Sequence, residues 1–217
     1  MAMTTAARCF GSPRCWGVLV SLLTLVAGAL SAALAPVPEA SPRRWLLDVN
    51  FGPLRVMSVQ TDKGARAFYY LTYTATNRSG KDQSFAPTFD LVDGDMMVTR
   101  AGANVPDEAL RAAKARIADA LVEDPIAVIG TIGQGAENAK SGFVVFSCED
   151  LTPGRITVYA AGFSGETAVI RTPDTAAGPG GLVTLRRTMA LQYNDPGDLA
   201  NRRDVPLDLI EAGWVMR

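Results

Sequence analysis

Histidine is absent from the 217 residues, and cysteine nearly so. Without an imidazole the chain cannot build a Ser-His-Asp or Cys-His nucleophile, an H-E-x-x-H zinc site, or an imidazole shuttle working near neutral pH. The three cysteines are Cys9, Cys15 and Cys148. Two of them fall in an amino-terminal leader, so a processed chain keeps one thiol. A single thiol closes no internal disulfide, and no Cys-x-x-Cys metal or redox motif exists. An exported domain held by its core alone fits bacterial export better than a disulfide-stapled secreted scaffold. A basic excess is missing as well. After residue 35 the sequence carries 19 basic and 22 acidic residues, a net charge of −3. That excludes the positive field that nucleic acid or anionic lipid binding needs. Internal repeats and heptad seams are lacking too.

The leader is what the sequence states most clearly. Met1 to Arg14 holds Arg8 and Arg14 and no acid, and Cys15 to Ala35 is then 21 residues without a charge. Positive charge ahead of an apolar run is the export signature, because the basic end stays on the cytoplasmic side. Small-x-small patterns at Ala27-Gly28-Ala29, Ala29-Leu30-Ser31 and Ala33-Leu34-Ala35 predict cleavage between residues 29 and 35. The same apolar helix is long enough to span a bilayer of about 30 Å, so an uncleaved single-span membrane anchor is the alternative. Both readings put the rest of the chain outside the cytoplasm: periplasmic, extracellular or anchored facing outward. Residues 36–44, rich in proline, read as a linker, and 45–217 as one domain.

Beyond the linker, strand signals dominate. Trp45 to Val49, Leu54 to Val59, Ser84 to Val92, Met96 to Val98, Ile126 to Ile132, Phe143 to Phe146 and Ile156 to Tyr159 are β-prone runs between turn residues. Phe68 to Thr76 is the strongest. Aromatic and β-branched residues fill both of its faces, which predicts a central strand. Thr172 to Gly181 reads as a loop. After it, Val183, Leu185, Met189, Leu191 and Tyr193 alternate with polar residues, a half-buried strand flawed by Arg187 on the apolar face. One segment breaks the pattern. Residues 107–122 carry Leu110, Ala113, Ile117 and Leu121 on one helical stripe, behind Pro106, Asp107 and Glu108. The expected fold is mainly β: an antiparallel β-sandwich with one inserted α-helix and the apolar amino-terminal helix.

Three segments together carry a resemblance. The strand Tyr70 to Asn77 and its turn lead to Phe85. Phe89 to Asp95 forms a hairpin. Gln134-Gly135 leads to Gly142 to Phe146 and then to Ile156 to Tyr159. Over about residues 45–165 this arrangement resembles the immunoglobulin-like extracytoplasmic domains of unknown function in bacterial lipoproteins and exported proteins. The helix would be an insertion in such a domain, and 182–217 lie outside the likeness. The resemblance implies a sandwich and an interaction role, and supplies no catalytic residue.

Candidate sites are few. Asp90, Asp93 and Asp95 are the best carboxylate cluster for Ca²⁺, though EF-hand spacing is absent and Asp93-Gly94 already reads as a turn. Gly130 to Gly135 is glycine-rich after a strand, but no helix follows to hold a phosphate, so it reads as a turn or bulge. Glu123-Asp124 and Glu149-Asp150 are adjacent acids, read as solvated loop charges. They lack the separation of about 5–10 Å that a glycosidase pair needs across a cleft. Cys148 reads as a thiol at a strand end, with an intermolecular disulfide or a nucleophile as alternatives. Trp45, Tyr69, Tyr73, Phe163 and Trp214 form either core or a sugar-stacking platform. Asn77-Arg78-Ser79 matches a glycosylation sequon and is also a plain turn. No motif requires a cofactor. The expected function is a non-enzymatic interaction or structural module of the cell envelope, its partner an envelope protein or polysaccharide. The alternatives are a carbohydrate- or Ca²⁺-binding module, or a histidine-free, carboxylate-based hydrolase.

Overall fold

The computed structural model of the chain describes residues 44–148, 154–173, 180–195 and 204–217. The leader, its apolar helix, most of the linker and the pair Glu149-Asp150 lie outside them. Among the described residues no helix is long and apolar enough to cross a membrane.

The fold is mainly β. Thirteen described strands run β1 Asp48–Phe51, β2 Arg55–Thr61, β3 Gly64–Asn77, β4 Gln83–Phe85, β5 Thr88–Val92, β6 Val98–Arg100, β7 Val122–Glu123, β8 Gly130–Ile132, β9 Gly135–Cys148, β10 Gly154–Ala161, β11 Thr167–Arg171, β12 Leu182–Asp195 and β13 Asp208–Met216. One helix, α1 Asp107–Ile117, stands between β6 and β7. In the first sheet β3 is central. β1 and β2 share one of its edges, β9 pairs antiparallel with the other, and β7 adds to β9 in parallel. The second sheet runs β6-β5-β10-β12-β13, with β11 continuing along β12 beyond β10. β4 and β8 form a separate pair.

The central place of β3 follows from its alternation. Tyr69, Leu71, Tyr73 and Ala75 face the second sheet, where they join Phe89, Leu91, Ile156, Val158, Leu191 and Tyr193 in the main core. Phe68 and Tyr70 face the other way and meet Met57, Phe143, Val145 and the buried Ala109 and Ala113 of α1. The layers are therefore helix, sheet, sheet. Small alanines let the helix approach the sheet closely, and Asp107 and Glu108 complement the positive end of its dipole.

Several boundaries differ from those the sequence predicts. The helix ends at Ile117, not 122. Ala118 adopts the left-handed conformation, φ 50°, and its N–H caps Lys114 O. Asp119 Oδ1 then accepts the Leu121 N–H at 2.9 Å, turning the chain so that Val122 enters the sheet. Leu121 is left 79% exposed. Only Gly130–Ile132 of the run 126–132 is strand. Pro125 cannot donate to a ladder, and a turn closed by Val128 N to Asp124 O and Ile129 N to Ile126 O takes its place. The run 84–92 is cut at Ala86-Pro87, where the chain leaves β4 and enters the second sheet as β5. Leu46 makes only an isolated bridge to Ser164, and β1 begins at Asp48. The strand expected at Met96 to Val98 is β6, Val98–Arg100, because Asp93 Oδ1 ties down the N–H groups of Asp95 and Met97 in a turn. No alternation marks β11, which is exposed on both sides.

Candidate functional site

The outer face of β3 changes character along its length. Phe68 and Tyr70 lie under α1, whereas Thr72 and Thr74 emerge past its last turn. Beside them opens a groove of about 650 Å³. Its polar wall is assembled from distant parts of the sequence: Arg55 of β2, Tyr70, Thr72 and Thr74 of β3, Ser141 of β9, Arg116 and Asp119 at the helix end, and Asp204.

Asp204 organises this wall. Its N–H donates to Val56 O at 2.9 Å, which sets the residue against β2. Its carbonyl accepts from Arg55. Its Oδ1 accepts from Arg116 Nε at 3.2 Å and from the Tyr70 hydroxyl at 3.5 Å. Burial and then the Asp204 charge push the Tyr70 phenol above its ordinary value, so it stays a neutral donor. The Thr74 and Ser141 hydroxyls meet at 2.8 Å. Two guanidinium groups, two carboxylates and four hydroxyls thus face one groove, carried by β2, β3, β9, the end of α1 and the Asp204 segment. Such a set offers hydrogen bonds of both senses to a polar ligand or chain segment. Comparison with family models, curated proteins and solved structures returns no match.

A second cavity, of about 140 Å³, lies under the β5–β6 turn. Asp93, Asp95, Tyr69, Ser147, Cys148 and Asp195 line it. The Tyr69 hydroxyl donates to Asp195 Oδ2 at 2.9 Å, and both residues are buried. Burial, reinforced by Cys148 and Asp195, holds the Tyr69 phenol far above its ordinary value. The groups here are acids: carboxylates, a phenol and a buried thiol.

The residues singled out from sequence are scattered. Asp93 and Asp95 share the second cavity. Asp90 lies elsewhere, bound by Arg100 Nε at 3.4 Å and Arg217 Nη1 at 3.3 Å. Among the described residues no three His, Cys, Asp or Glu side chains come together as a metal site. Glu123 sits on β7, where its charge adds to burial in raising the phenol of Tyr73. Gly130 to Gly135 leads from β8 into β9, a strand. Tyr69, Tyr73 and Phe163 are core, and Trp45 and Trp214 pack partly against it, so the five do not form an exposed platform. Asn77 is fully buried. Its Nδ2 donates to Lys81 O at 3.0 Å and Ile132 O at 2.9 Å, and its Oδ1 accepts from Ser79 N at 3.0 Å.

Proposed function

We propose that this chain is an exported interaction module of the cell envelope, an immunoglobulin-like sandwich that holds a partner in the Arg55–Arg116 groove without turning it over. One observation carries the reading: Arg55, Arg116 and the Tyr70 hydroxyl of the groove already converge on Asp204. A recognition surface benefits from donors and acceptors fixed before the partner arrives. The partner is an envelope protein or a polysaccharide segment, either of which supplies polar groups for this wall. Export rests on the leader, and the sandwich assignment is supported by the two sheets sharing one core.

The test is in-cell crosslinking of the full chain with Ser141→p-benzoylphenylalanine, read by mass spectrometry. A discrete partner, lost on combining the reporter with Arg116→Ala, is the expected result. Reproducible hydrolase or glycosidase turnover by the purified chain, abolished by Asp119→Asn or Asp204→Asn, overturns the non-enzymatic reading.

A further inference from the structure

We propose that the Arg55–Arg116 groove takes an extended protein segment that brings an acidic side chain to Arg55 and a basic side chain to Asp119. The inference rests on the reading above that a partner occupies this groove, and it names the chemistry of that partner.

Asp204 neutralises only one of the two arginines. Its carboxylate pairs with Arg116 Nε at 3.2 Å, whereas Arg55 reaches its main-chain carbonyl. A carbonyl accepts the hydrogen bond without cancelling the charge. Among the described residues Arg55 joins no ion pair, and neither does Asp119. Asp119 spends Oδ1 on the Leu121 N–H at 2.9 Å, which leaves Oδ2 to accept from a ligand. The groove therefore holds one unmatched cation and one unmatched anion. A ligand of a single sign would match one of them and meet the other as repulsion, so a ligand of both signs is complementary.

The register fixes how far apart the two charges stand. Arg55 of β2 is opposite Tyr70 of β3, and Thr74, farther along β3, is opposite Ser141 of β9. Ser141 is in turn opposite Val122 of β7, whose N–H donates to Asp119 O at 3.3 Å. The ends thus lie three strand steps apart across the sheet and four residues apart along β3. At ~4.8 Å per step and ~3.3 Å per residue that diagonal is ~20 Å between backbones, and shorter between side-chain tips. It is bridged by about four to six residues of extended chain. Between the ends, Thr72, Thr74 and Ser141 supply hydroxyls that can donate to and accept from main-chain amides.

The same wall argues against a polysaccharide. Sugar rings are held by stacking on open aromatic faces. The aromatic residues lining the groove are Tyr70 and Tyr73, only 6% and 2% exposed. At the Asp119 end the open side chain is Leu121, between the lining residues Asp119 and Val122. It offers an aliphatic contact that a protein segment can meet and a hydroxylated sugar cannot.

The experiment measures binding of the full chain to short alanine-serine peptides by fluorescence anisotropy. The peptides carry one glutamate and one lysine at every spacing and in both orders, or one of the two charges alone. Cellohexaose and chitohexaose serve as competitors. Each charge at the fitting spacing is expected to tighten binding about fivefold. Asp119→Asn should abolish the gain from lysine and keep that from glutamate, and Arg55→Gln the reverse. Equal binding of doubly and singly charged peptides, no binding of any peptide, displacement by either sugar, or loss of both gains in each variant overturns the proposal. The Ser141 crosslink separates the two failures. A glycan captured there overturns the protein segment and leaves the groove a partner site, whereas the absence of any capture overturns the partner site itself.

Discussion

Tyr69 and Asp195 join the two sheets from inside, the phenol of β3 donating at 2.9 Å to a carboxylate oxygen of β12. Both residues are almost fully buried, and they lie 126 positions apart in sequence. Tyr69→Phe keeps the ring in the core but withdraws a donor from a buried carboxylate. The expected cost is about 1–3 kcal/mol, read as a lower urea midpoint with an unchanged slope. An unchanged midpoint refutes the structural role of the bond.

Alkali should unfold the domain early. Burial raises the phenols of Tyr69 and Tyr73, with added charge effects, and pushes Tyr193 up to about 12. The native chain therefore keeps protons that the unfolded chain releases near pH 10. This contribution is complete below about pH 10 and is lost as pH rises through the native values. Three such groups make stability fall by up to about 4 kcal/mol per pH unit, most steeply near pH 11. Absorbance at 295 nm should show these phenolates appearing together with unfolding. Their ionisation in a chain still folded by circular dichroism contradicts the burial argument.

Asn77→Ala removes two amide donors from inside the structure. Lys81 O and Ile132 O each lose a partner, and the turn held by Ser79 loses its anchor. Thermal unfolding should show a loss of about 1–3 kcal/mol. Hydrogen exchange should speed up at β4 and β8 before the rest of the core. Uniform acceleration would show that the amide does not act locally.

Gly162→Ala should be among the most damaging single substitutions. The residue adopts φ +92°, and an added Cβ would stand 2.7 Å from Ala86 O and 2.9 Å from Pro87 Cα. Both obstacles are backbone, at the point where the chain passes from β4 to β5. The expected loss is about 2–4 kcal/mol in urea titration. A variant as stable as the parent would mean that this crossing is free to shift.

The legible features of the sequence were those set by local pattern. Two apolar faces placed β3 at the centre of a sheet, and Pro106 with Asp107 and Glu108 marked where α1 begins. Its end was hidden, because Leu121 extends the helical stripe and only the Asp119 turn ends it. Arg187 looked like an error in an apolar face, and the structure places it half-buried, paired with Glu166 and stacked on the Trp214 ring. The groove was illegible for a different reason. Arg55, Arg116, Ser141 and Asp204 are ordinary surface residues until the topology gathers them, and no spacing in the sequence announces that meeting. The acids Asp90, Asp93 and Asp95 are close in sequence, yet Asp90 turns to Arg100 and Arg217 on the outer side of the sheet.

The segment before β13 runs back along β2, with Leu207 N bonded to Leu54 O at 2.8 Å and Pro206 bridged to Arg55. Leu207, Leu191 and Tyr193 complete the core that Leu54, Leu71 and Phe89 begin. The order of synthesis then governs the order of assembly. A growing chain displays its first ten strands with their apolar faces open until the residues near position 207 emerge, and pairings between such distant partners close slowly. Folding is thus deferred until β12 and the residues near position 207 are available, and any carrier that shields those open strands acts in that interval.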